Sequence, residues 1–221
     1  AAPQARRIAS VCGGALLLAD RVAGPLTPEQ QEIVEILDNS SRNLQKLIEQ
    51  LLDYNRKQAD GPIARETVNL AELVENVVSA HSLPARAKMM HTELLLSERL
   101  CEAEPALLVS VLDNLYSNAV HYGAESGNIR IHSYRHGEQV RIDVINDGEP
   151  IPSAERNMIF EPFYQGSHQR KGAVKGSGLG LSIARDCVRQ MQGELSLVDE
   201  KSGLICFRIT LPVAESGKNN V

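Results

Sequence analysis

Apolar positions near the start of the chain recur in alternating steps of three and four. Ile8, Val11, Ala15, Leu18 and Val22 form one stripe along a first helix. Gly24-Pro25 stops it. At Thr27-Pro28-Glu29-Gln30 a helix restarts: Thr27 caps, Pro28 suits the first helical position, and Gln30 completes a capping box. The second helix carries Ile33, Leu37, Ser40, Leu44, Leu47, Leu51 and Tyr54 in the same rhythm. Two helices with stripes this narrow bury little alone. The pattern therefore predicts an antiparallel hairpin completed by a second copy into a four-helix bundle. The alternative is a hairpin folded back onto its own neighbouring domain.

After Asp60-Gly61-Pro62, which reads as a linker, the rhythm becomes mixed. Ala64 to Val68 reads as a short strand. Leu70 to about Ala87 reads as a helix capped by Asn69, kinked or ended by Pro84. Thr92 to Leu96 is a strand, and Pro105 to Tyr122 a helix with Leu108, Val111, Leu112, Leu115 and Ala119 on its apolar side. Ile129 to Tyr134 and Val140 to Ile145 are strands around the turn His136-Gly137-Glu138. Leu179 to Gln192 is a helix ended by Gly193. Leu195 to Val198 and Leu204 to Leu211 make a closing hairpin. Strands with helices between them imply an α/β sandwich, one sheet face covered by helices. The chain as a whole is α+β: helical hairpin 1–60, mixed domain 61–214 and polar tail 215–221.

Composition narrows the classes. An apolar share of 43% suits a globular core, and a net charge of −5 argues against a nucleic-acid-binding surface. The scattered Cys12, Cys101, Cys187 and Cys206 show no metal-type or redox-type spacing, so they read as reduced thiols in a cytosolic setting. No run reaches the ~20 apolar residues of a membrane span, which leads us to expect a soluble fragment.

Three polar boxes interrupt this pattern. Asn114 and Asn118 lie four apart, on one face of the long helix. An amide oxygen is a hard, neutral ligand suited to Mg²⁺, although an isolated pair would read as a solvated face. Asp147, with Gly148 leaving room beside it, can accept from the exocyclic amine of adenine, where the oxygen of guanine would be repelled. Alone, Asn146-Asp147-Gly148 would be a turn. Gly172, Gly176, Gly178 and Gly180 let backbone amides approach phosphate, and Leu179 onwards opens a helix whose N-terminus favours anions. No Gly-Lys-Ser/Thr follows, as a Walker loop requires, and no strand feeds the glycines, as a Rossmann turn requires.

These boxes, in this order, resemble the ATP-binding domain (GHKL or Bergerat type) shared by sensor histidine kinases, type II topoisomerases and Hsp90-type chaperones. Asp113 to Tyr122 resembles the asparagine box, and Ile159 to Tyr164, with Phe160, the F-box. Gln165 to Lys175 resembles the ATP lid, where Arg170, Lys171 and Lys175 are candidate phosphate contacts. The resemblance implies ATP and Mg²⁺ as cofactors, Asn114 and Asn118 as catalytic residues, and Asn118 as the metal ligand. It places His121, Tyr122, Asp147, Gly148, Ile151 and Phe160 around the nucleotide. Gly176, Ser177, Gly178, Leu179, Gly180 and Leu181 would complete the cradle. His121 stands where the family often has a lysine or arginine.

Topoisomerases and chaperones of this superfamily carry a glutamate where Asn114 stands, and an amide cannot act as general base toward water. With the hairpin, this points to a histidine kinase that transfers the γ-phosphoryl to a histidine and thence to a response regulator receiver domain. The implied assembly is a homodimer. The full-length protein would be anchored with this region on the cytoplasmic face of the inner membrane, and would not bind nucleic acid. The phosphoacceptor motif is not recognisable: Ile8-Ala9-Ser10 resembles its tail, which puts Ala2 and Pro3 at the histidine and acid positions, and no histidine precedes His81. Little or no self-phosphorylation is expected. A degenerate kinase serving as a nucleotide-binding dimeric scaffold and an anti-sigma-type serine kinase are the alternatives.

Overall fold

The structure is a computed structural model; it describes residues 24, 26, 27, 30, 31, 33 and 34, then 65–166, 178–198 and 203–214. The chain divides into two units, residues 1–61 and 62–221. In the first unit the expected capping box is present. The Gln30 N–H donates to Thr27 Oγ1 at 3.3 Å, and the Thr27 N–H donates to Gln30 Oε1 at 3.0 Å. Most of the hairpin stripes, the linker, Arg170, Lys171, Gly172, Lys175, Gly176, Ser177 and the tail 215–221 lie outside the described residues.

The second unit runs β1 (Glu66–Asn69), α1 (Leu70–Ala80), α2 (Ser82–Ala87), β2 (His91–Leu96), β3 (Leu100–Ala103) and α3 (Pro105–Tyr122). It continues through β4 (Asn128–His136), β5 (Gln139–Asp147), a 3-10 turn (Met158–Phe160), α4 (Gly180–Gln190), β6 (Glu194–Val198) and β7 (Leu204–Pro212). Five strands form one sheet in the order β2-β4-β5-β7-β6, with β2 parallel to β4 and the other neighbours antiparallel. β1 and β3 pair as a separate antiparallel ribbon, Val68 opposite Cys101.

Strand alternation sorts the sheet into two faces. Ile129 and Ile131 of β4, Val140, Ile142 and Val144 of β5, and Ile205, Phe207, Ile209 and Leu211 of β7 share a core with the helices. The helices supply Val74 and Val77 from α1, Leu108, Val111, Leu112 and Leu115 from α3, and Ala184 and Val188 from α4. The opposite face carries Arg130, His132 and Tyr134 of β4, Arg141 and Asp143 of β5, and Arg208 of β7. There Asp143 accepts two bonds of 2.7 Å from the Arg208 guanidinium, which raises the arginine's pKa. Asp143 is only 7% exposed, tolerable because its charge is paired.

Three differences from the sequence expectation have local causes. The helix expected over residues 70–87 breaks at His81, three residues before Pro84. A proline cannot donate to the carbonyl four residues back and clashes with it, so the chain restarts and seats Pro84 in the first turn of α2. β3 was not expected, being four residues long with no clear alternation. β5 continues through Asn146 and Asp147 rather than stopping at Ile145, which matters at the site below. Asn69 caps α1 as expected, its Oδ1 accepting from the Ala71 N–H at 3.1 Å. No described helix is long and apolar enough to cross a membrane.

Candidate functional site

α3 starts where sequence says it should. Pro105 takes the first helical position, and the Glu104 carboxylate accepts from the amides of Ala106 and Leu107 at 3.3 and 2.6 Å. Its two asparagines then take different places. Asn114 is buried, and its Nδ2 donates to the Ser110 carbonyl at 2.8 Å. A Cβ on Gly180 would lie 2.9 Å from Asn114 Oδ1, so α4 begins directly against this amide and glycine is what fits. Asn118, one turn on, is half-buried, and its side chain bonds to no described residue. Asn114 thus joins two helices, while Asn118 keeps an amide oxygen for a ligand.

The end of β5 sends the side chains of the Asn146-Asp147 pair to different faces of the sheet. Because the strand continues to residue 147, Asn146 follows Val140, Ile142 and Val144 onto the helix-covered face, and Asp147 turns to the opposite one. There Asp147 Oδ2 accepts from the backbone amide and Nδ2 of Asn128, both at 2.8 Å, and Oδ1 accepts from Arg130 Nη2 at 3.1 Å. Partial burial raises the Asp147 pKa, but the Asn128 bonds and the Arg130 charge outweigh it, leaving the carboxyl below the usual range. Asp147 therefore ties β4 to β5 and does not face the site it was expected to serve.

Asn146 does face that site, 3% exposed, with Nδ2 directed to the Asp147 carbonyl at 3.2 Å. Its Oδ1 accepts from no described residue. A Cβ on Gly148 would stand 3.1 Å from Asn146 Nδ2 and 3.6 Å from the Tyr122 carbonyl, so the glycine keeps this corner open. Ile151 packs against the edge of the core beside it. Sequence reasoning missed Asn146, although extending the alternation from Val140 by two residues would have found it.

His121 and Tyr122 close α3. Their rings meet edge to face at 4.6 Å, and Tyr122 is 51% exposed, so it borders the pocket rather than filling it. Beneath them, Lys88 Nζ donates to the carbonyls of Val120 and His121.

α4 supplies the third wall. Gly178 has a φ of 72°, and its carbonyl accepts from the Phe163 N–H at 2.9 Å. Phe163, itself left-handed at 65°, is 71% exposed. No described side chain caps the α4 N-terminus, and Ser182 Oγ turns back to the Leu179 carbonyl at 2.9 Å. The first amides of α4, at Gly180 and Leu181, are thereby left for an anion. Phe160 is buried edge-on to Phe207 at 6.2 Å with the Arg185 guanidinium 5.4 Å above its ring, which makes it a packing residue.

The residues fit a nucleotide triphosphate. Open amides at α4 suit phosphate, Asn146 Oδ1 suits an amine donor, and the glycines stand where side chains would intrude. Among the described residues no three His, Cys, Asp or Glu side chains gather as a metal cage. The lone amide of Asn118 suits an ion that keeps most of its waters, as Mg²⁺ does.

Residues 103–215 match the family of histidine kinase-, DNA gyrase B- and HSP90-like ATPases, and residues 8–60 match the His Kinase A phospho-acceptor domain. The phosphoacceptor segment is therefore recognisable as a domain, against expectation, although residues 8–60 contain no histidine. The chain is 72% identical over 211 residues to the sensor histidine kinase GlrK of Escherichia coli (strain K12), covering 96% of the chain and 44% of that protein. It thus spans less than half the length of that curated relative. Full-length ShkA in complex with AMPPNP is similar at 26% identity and a TM-score of 0.73, over 96% of this chain and 44% of that one. ThkA in complex with the response regulator protein TrrA shares the fold at 24% identity and a TM-score of 0.68, over 95% and 58% of the respective chains. With a His Kinase A segment ahead of it, the matched domain places the chain in the family of histidine kinase-, DNA gyrase B- and HSP90-like ATPases.

Proposed function

We propose that this region binds ATP·Mg²⁺ between α3, the end of β5 and the start of α4, and donates the γ-phosphoryl group to a histidine. The observation that carries the reading is the convergence of three chemistries on the helix-covered face: the open amide of Asn118, the acceptor of Asn146 and the uncapped N-terminus of α4. Asn146 Oδ1 accepts from the adenine amine. Asn118 holds the ion, which neutralises charge on the phosphates, and the α4 amides fix them. The bond between the γ-phosphorus and the β-bridging oxygen breaks as an imidazole nitrogen bonds to that phosphorus, and ADP leaves. Catalysis is positioning and charge neutralisation rather than proton abstraction, consistent with Asn114 in a glutamate's place.

A homodimer is built through residues 8–60, and a response regulator receiver domain takes the phosphoryl group onward from the histidine that accepts it. Both follow from the family and from the apolar stripes of the hairpin. The whole protein is membrane-anchored in this reading, with this region on the cytoplasmic face. Because residues 8–60 contain no histidine, the 221-residue chain does not label itself there.

The test uses purified chain, Mg²⁺ and γ-labelled ATP. Calorimetric ATP binding is expected, with no label on the chain alone. Label is expected on an added His Kinase A domain that contains its histidine, lost by acid and kept in base. Acid-labile label on the chain itself would overturn the self-labelling claim. Acid-stable label on serine would overturn the reaction class.

A further inference from the structure

Lys88 lies outside the recognised boxes, yet it grips the helix that carries them. Its backbone carbonyl accepts from the Ser126 N–H at 2.9 Å, tying the end of α2 to the turn after α3. Its Nζ reaches the Val120 carbonyl at 2.7 Å and also the His121 carbonyl. These carbonyls belong to the last turn of α3, whose final carbonyls have no partner within the helix. Gly123 N–H satisfies Ala119 at 2.9 Å, leaving Val120 and His121 to the lysine.

Position gives this cap an electrostatic meaning. The C-terminal end of a helix carries about half a negative charge. Asn118 sits one turn before that end, so a polyphosphate held at Asn118 lies near a repulsive pole. The Lys88 ammonium, bonded to the carbonyls that form the pole, cancels it.

We infer that Lys88 is a positioning residue for the phosphate chain, holding the end of α3 in place and neutralising its negative pole so that a multiply charged nucleotide is accepted there. It touches backbone carbonyls and not the reacting atoms. The inference rests on the ATP pocket proposed above, and its signature is graded by ligand charge. A structural cap alone would affect all nucleotides alike, whereas a charge-cancelling cap affects ATP most and adenosine least.

The experiment compares the full chain with Lys88→Gln and Lys88→Arg, measuring dissociation constants for ATP, ADP and adenosine by calorimetry at two salt concentrations. Glutamine keeps donors near the carbonyls without the charge, so the fold is retained; thermal unfolding checks this. The expected loss in Lys88→Gln is about tenfold for ATP, about threefold for ADP and less than about twofold for adenosine, shrinking at high salt. Lys88→Arg, which keeps charge and donors, is expected to restore most of the ATP affinity. Equal losses for all three ligands, or none, would overturn the inference while leaving the pocket intact. A parent chain that binds no ATP would overturn the pocket and the inference together.

Discussion

Replacing Asp147 by alanine is expected to weaken the fold and spare the nucleotide, the opposite of what its place in the Asn-Asp-Gly box suggests. The removed carboxylate accepts three bonds, two at 2.8 Å from Asn128 and one at 3.1 Å from Arg130. Bonds to a charged group contribute up to about 3 kcal/mol each when dry, but Arg130 and Asp147 are 26% and 27% exposed, so water screens them. A total near 2 kcal/mol is the reasonable magnitude, about 4–8 °C in melting temperature for a unit of this size. Asn146→Ala is the counterpart: it removes the proposed adenine acceptor and is expected to weaken ATP about tenfold or more.

Thermal unfolding and calorimetric ATP binding on both variants form the assay, and pH adds an independent handle. Because the Asp147 pKa is lowered in the folded state, its stabilisation is complete above the unfolded carboxylate value. It is lost as pH falls through the depressed folded value. The stability gap between the parent and Asp147→Ala should therefore close on the acid side. Loss of ATP binding in Asp147→Ala at unchanged stability, with Asn146→Ala binding normally, would refute the assignment of faces.

Two further outcomes follow from packing. Gly180→Ala places a methyl 2.9 Å from Asn114 Oδ1, so α3 and the start of α4 are pushed apart at the phosphate end. ATP affinity should drop at least about tenfold by calorimetry, with a stability loss of about 1–3 kcal/mol in chemical denaturation. Arg208→Leu strips the charged partner from an Asp143 carboxylate that is 7% exposed, leaving it only the Tyr134 hydroxyl at 3.3 Å among the described residues, and should cost about 3 kcal/mol in the same denaturation experiment. Its ATP affinity should match the parent, because Asp143 and Arg208 lie on the face away from the pocket.

The boundaries of α3 were legible because its signals are local: Pro105 at the start, an apolar stripe at helical spacing, and glycine after Tyr122. The capping box at Thr27 and Gln30 and the cap at Asn69 were legible for the same reason, since each partner lies within three residues. The boxes and their order were enough to indicate an ATP-binding kinase domain. Sequence could not show which side chains of those boxes point inward. Asn114 and Asn118 share a helical face, and the approach of Gly180 from a segment far along the chain decides that one is buried and the other open. Asn146 and Asp147 are adjacent, and β5 running two residues further sends them to opposite faces of the sheet. The Lys88 cap joins residues more than thirty apart, which no local pattern encodes. Local propensity and spacing determined the elements, and the resemblance of the boxes indicated the family. Tertiary structure decided the role of each polar side chain, because burial and hydrogen-bond partners depend on what packs across from a residue and not on its neighbours in sequence.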